Sequence, residues 1–189
     1  MTKSAVSVVD AGPTIAREPR PFLYLEPARL PLRSVEIDSG SLARLDDAVS
    51  ASIPALVRSL VDYTIARQNK SALERGTSQP IQLSVLNRRR RAARSWIVAI
   101  LAGRVDSGTL HAVSNQWIPT LAGTGHDLRK SARPGRAFVE FVRGAITACI
   151  FDEFEENLVP SAKAVFAIET VLAAHLAAVQ QVARAAFAK

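Results

Sequence analysis

The chain has 189 residues, 24 of them basic and 17 acidic, for a net charge of +7. That length suits one helical domain plus an arm, and such a domain buries roughly two thirds of its unfolded surface without disulfide or metal staples. One cysteine, Cys149, excludes an internal disulfide, and no run of 18 apolar residues is present, so the expectation is a cytoplasmic protein with no membrane span.

Residues 1–40 hold five of the ten prolines, Pro13, Pro19, Pro21, Pro27 and Pro31. Proline fixes its own φ and biases the preceding residue away from helix, so this segment reads as extended. Phe22, Leu23, Tyr24, Leu25, Leu30 and Leu32 make it more apolar than a disordered tail. It is expected to lie across its own domain, or to dock on another subunit with Phe22 and Tyr24 as the contacts. The helical domain is expected over residues 41–189.

From Leu42 onward, apolar residues recur at three and four: Leu42, Leu45, Val49, Ile53, Leu56 or Val57, Leu60 and Ile65. Pro54 should kink this helix or open a second one, with Ser52 as its cap. "NKSALERGTSQP" reads as a linker, and "LNRRRRAARSWIVAILAGRVD" as a helix with a basic start and a buried end. Gly103 closes that helix, Asp106 caps the next, and Pro119 is expected to stop it. "TLAGTGHDLRKSARPGR" reads as a loop. "AFVEFVRGAITACIFDEFEEN" reads as a helix with Phe138, Phe141, Val142, Ala145, Ile146, Cys149 and Ile150 on one stripe. The alanine-rich "SAKAVFAIETVLAAHLAAVQQVARAAFAK" is the longest helix expected. Strand signals are thin and no internal repeat is visible. The fold class is therefore all-α, a single bundle of five to seven helices behind an extended arm.

Successive helical residues point about 100° apart, so Arg88, Arg89, Arg90 and Arg91 cannot share a face. Trp96, Ile97, Ile100 and Leu101 mark the buried side, and that stripe runs back towards Arg89 and Arg90. One of these arginines must lie near the apolar side, by snorkelling or by pairing with Asp152 or Glu155. Two further readings are a solvated basic face and a phosphate-binding patch. The patch would use Arg88, Arg89, Arg90, Arg91 and Arg94 with a second cluster, Arg129, Lys130, Arg133 and Arg136.

None of His111, His126 and His175 has metal-ligand spacing. His175 falls among Ile168, Leu172 and Val179, which suits a hydrogen-bonded core residue. The functional alternative is a cofactor ligand or a pH-sensitive switch. Cys149 reads as a small core residue. "GTGHDL" lacks a preceding strand, a third glycine and a phosphate-loop lysine, and no carboxylate pair has acid–base spacing. No metal, no cofactor and no enzymatic activity are expected.

The stretch "RSWIVAILAGRVDSGTLHAVSNQWIPTLAG", residues 94–123, resembles the middle of globin-coupled sensor domains. These carry a helix ending in a Gly-Arg-x-Asp turn, here Gly103-Arg104-Val105-Asp106, and then a helix with the haem-binding histidine. That histidine is missing just after Trp117 and Pro119, and His111 comes nearly two turns too early. The resemblance therefore implies a globin-like fold of the non-haem, stressosome-sensor kind, acting by association and signal relay. The expected function is a non-enzymatic sensory or regulatory module working through protein contacts. Small residues along the last helix suit a homodimer through Ala174, Ala177, Ala178 and Gln181. Nucleic-acid binding by the two basic clusters is the alternative, and a structural subunit of a larger assembly is a third.

Overall fold

The computed structural model describes residues 39–77, 80–125, 127–153 and 158–188. The expected arm contacts Phe22 and Tyr24, and nearly all of residues 1–40, lie outside them. Among the described residues the chain is all-helical, with no strand. Five helices have at least twelve residues: α1 (Ser39–Ser50), α2 (Ile53–Glu74), α3 (Leu83–Leu101), α6 (Ala132–Glu153) and α7 (Leu158–Phe187). The short α4 (Ser107–Ala112) and α5 (Ile118–Ala122) lie between α3 and α6.

Hydrophobic spacing explains which faces turn inward. Leu42, Leu45 and Val49 of α1 recur at three and four and are buried, as are Leu56, Leu60 and Val61 of α2, the first two of them four apart. From α3, Trp96, Ile97, Ile100 and Leu101 join them. Phe138, Val142, Ile146 and Ile150 come from α6, and Ile168, Val171, Leu172 and Val179 from α7. Tyr63 ties α2 to α6: its ring stacks on Phe141 at 4.6 Å and meets Phe138 edge-on at 6.1 Å.

Three sequence expectations are corrected. First, the expected linker after α2 is helical as far as Glu74, because "KSALE" consists largely of good helix formers. Pro54 does open α2 in its first turn, but the Ser52 side chain makes no capping bond. Second, Pro119 does not stop the helix. A π turn, Val113–Trp117, links α4 to α5, and the Ile118 N–H donates to the Val113 carbonyl five residues back. Widening the helix here moves the carbonyl wall away from the Pro119 ring, which has no N–H to donate. Third, the expected loop after Gly123 is shorter. A 3₁₀ turn, Leu128–Lys130, leads into α6, which already begins at Ala132. Pro134 thus sits in the first turn of α6, where a missing N–H costs nothing.

By length and mean hydropathy alone, Ala162–Phe187 of α7 could cross a membrane, although polar residues such as Glu169, His175 and Gln180 interrupt it and no unbroken run of 18 apolar residues occurs. Half of its apolar window is buried inside the bundle.

Candidate functional site

The turn that carried the resemblance is the structural hub of the bundle. Gly103 takes φ 64°, open to glycine at little cost. It closes α3 with paired bonds: the Gly103 N–H donates to the Ile100 carbonyl (3.0 Å), and the Arg104 N–H to the Ala99 carbonyl (2.9 Å). Three residues on, the Asp106 carboxylate accepts from the Thr109 N–H (2.9 Å) and hydroxyl (2.7 Å), capping α4. Those two bonds hold the Asp106 carboxyl below its usual pKa.

Between the two caps, the Arg104 carbonyl accepts a bond at 2.8 Å from the Nε2–H of His175, which is fully buried. The Trp96 indole N–H donates to Nδ1 of the same ring at 3.2 Å. His175 is therefore the neutral Nε2–H tautomer, joining α3, the α3–α4 turn and α7. Burial pushes its pKa down, against the raising effects of the Arg104 carbonyl and Asp106. Both ring nitrogens are taken, so the cofactor-ligand reading of His175 is corrected: the residue is an internal staple.

The arginine run divides as helical geometry requires. Arg88, Arg90, Arg91 and Arg94 are exposed and form no ion pair among the described residues, whereas Arg89 is 1 % exposed. Arg89 Nη2 donates to the Gln68 side-chain oxygen, and its Nε and Nη1 have no hydrogen-bond partner among the described residues. Burial lowers its pKa. Gly123 makes room for the guanidinium, since a Cβ there would come within 2.6 Å of Nη2. Arg89 thus leaves the expected phosphate patch. The expected pairing with Asp152 is replaced by Gln68, and Glu155 lies outside the described residues. Of the second cluster, Arg129, Lys130, Arg133 and Arg136 are exposed. Lys130 pairs with Asp127 at 2.9 Å, and Arg129 lies over the Phe187 ring and donates to the Ala186 carbonyl. The Arg129 contacts fix the join between the 3₁₀ turn and the end of α7, while the Lys130 pair stays within the turn.

The proposed interface residues on α7 separate in the same way. Ala174 and Ala178 are 4 % and 7 % exposed and belong to the protomer's own core, so their placement at an interface is corrected. Ala177 and Gln181 are half-buried. The outward side of α7 instead carries Phe166, at 67 % exposure, with Ala173 and Arg184. Beside it α6 presents Gly144, Ala148 and Phe151, the last at 54 % exposure. Arg143 Nε meets Glu169 at 2.9 Å across the seam between the two helices, and Arg143 Nη1 meets Glu140 at 2.7 Å. A Cβ on Gly144 would meet nothing within 4 Å. α6 and α7 therefore form one outward face, low in relief, with large aromatic rings standing on it. The sequence reading missed this face. Its signal was the placement of Phe166 half a helical turn away from the Ile168–Leu172–Val179 stripe.

No cluster of three or more His, Cys, Asp or Glu able to hold a metal occurs among the described residues. Cys149 is half-buried, and burial raises its thiol pKa, which leaves it a poor nucleophile. Compared with models of protein families, with curated proteins and with solved structures, the chain matches none.

Proposed function

We propose that this chain is a non-enzymatic sensory or regulatory module that acts by protein contact, as a homodimer formed through the outward face of α6 and α7. One observation carries the reading. Phe151 and Phe166 stand exposed on a face otherwise made of Gly144, Ala148, Ala173 and Ala177, where another pair of helices can approach closely. Aromatic rings beside small residues supply anchoring area at little entropic cost. The Gly103–Asp106 turn, through its resemblance to non-haem globin-like signalling domains, supports the same reading, and a cytoplasmic setting is part of the proposal. The test is sedimentation of the full chain at tens of micromolar, with Gly144→Arg as the perturbation. Wild type should sediment as a dimer. G144R fills open space on the face, so it should weaken association at least tenfold while leaving the protomer's thermal midpoint unchanged or raised. A monomeric wild type, or a dimer indifferent to G144R, ends the reading.

A second reading rests on Arg88, Arg90, Arg91 and Arg94, exposed on α3 with no ion pair among the described residues. Four exposed guanidinium groups on one helix are a phosphate-binding footprint. If all four engage duplex DNA, the logarithm of affinity should fall with the logarithm of salt at a slope of about −3.6. Fluorescence anisotropy with a labelled duplex decides this, and no binding at low salt removes it.

A further inference from the structure

We propose that α7 pairs antiparallel with α7 of a second copy, about a two-fold axis that crosses the outward side of the helix opposite His175. This rests on the dimer reading above and gives it a register.

Phe166 lies nine residues before His175 and Arg184 nine residues after it. At about 100° per residue, nine residues amount to a half-turn beyond two full turns. Both side chains therefore stand diametrically opposite the buried histidine, one above the other and about 27 Å apart along the axis. Both are exposed. Ala173 and Ala177 flank the midpoint on the same side, two residues to either side of His175.

A two-fold axis at this midpoint makes the face complementary to itself. Phe166 then meets the partner subunit's Arg184, and Arg184 meets the partner subunit's Phe166. This places a cation against an aromatic ring twice over. Ala173 meets the partner subunit's Ala177 at the centre, where the absence of bulk lets the two backbones approach. A parallel pairing in register would set Arg184 against Arg184, and like charges repel. The self-matching order of ring, small residue and cation is what selects a second copy as the occupant. The Arg143–Glu169 pair ties α6 to α7, and Gly144, Ala148 and Phe151 lie on the exposed side of α6 beside it. A face two helices wide and about 27 Å long is on the order of the ~800 Å² per partner that stable dimers use.

Charge variants read the register directly, measured on the full chain by sedimentation velocity, with circular dichroism confirming the fold of each. F166R sets arginine against the partner subunit's Arg184 at both ends and should weaken the dimer at least tenfold. F166R/R184E turns both clashes into ion pairs and should restore association to within a few-fold of wild type. Within one protomer the two positions are about 27 Å apart, so no intramolecular pair can produce that recovery. In a parallel dimer the double variant would pair like with like at both positions and stay dissociated. A dimer that G144R weakens but that F166R/R184E fails to recover overturns the register and leaves the α6–α7 face standing. A wild-type monomer, or a dimer that neither G144R nor F166R affects, overturns both.

Discussion

Taking the Arg89 guanidinium out of water costs several kcal/mol, and the neutral Gln68 side chain returns only part of that. Arg89→Met keeps the aliphatic stem and removes a buried charge with two unpartnered donors. It should raise stability by about 1–3 kcal/mol, read as a shift in the urea midpoint; a loss of stability would show that the charge is satisfied in solution. His175 works in the opposite sense, because its polar atoms are matched. Its folded-state pKa lies below the ordinary 6.5, so the folded ring resists a proton that the unfolded ring accepts. Its contribution is present in full above about pH 6.5 and is lost as pH falls below that towards the depressed folded value. Urea midpoints between pH 7.5 and 5 should show this decline, and His175→Asn should flatten it. The sequence disclosed both environments in part. Helical phase required one of the four consecutive arginines to face inward, and it set His175 among Ile168, Leu172 and Val179. It could not name the partners, because Trp96, Gln68 and the Arg104 carbonyl reach these side chains through tertiary packing.

At the scale of elements, the α3–α4 turn is the best specified local structure, and its chemistry is readable from Gly103 and Asp106 alone. Asp106→Ala removes the acceptor for the Thr109 N–H and should cost about 1 kcal/mol of stability, with Asp106→Asn retaining most of it. Thermal midpoints of the two variants give the comparison. Prolines proved harder to read. Pro119 lies inside a continuous helical stretch because a π turn absorbs its ring, and Pro134 sits in the first turn of α6, where proline is welcome. Neither outcome follows from the residue alone, since the same proline ends a helix, begins one or is bypassed according to what surrounds it. Alanine hid the phase of α7. Ala173, Ala174, Ala177 and Ala178 look alike in a sequence, yet 174 and 178 turn inward and 173 and 177 outward. The phase was available from His175: position 178 lies about 60° from it and position 174 about 100°, whereas 173 and 177 lie about 160° away.

For the whole molecule, the all-α class followed from composition, apolar period and the lack of strand signals, since each long helix carries its own stripe. The use of the surface did not follow. Net charge drew attention to the arginines, and small residues drew it to α7, but which side chains share a face depends on how α6 and α7 are assembled. That assembly is what connects Gly144 and Phe151 with Phe166 and Ala173, residues that the sequence keeps well apart. The account stands on this face being a contact surface for a second copy. Sedimentation equilibrium of the full chain at tens of micromolar tests it most directly. The predicted mass is twice the 20.4 kDa of one chain, dropping towards that of a single chain in G144R. A mass of one chain for the wild type across that concentration range would contradict it.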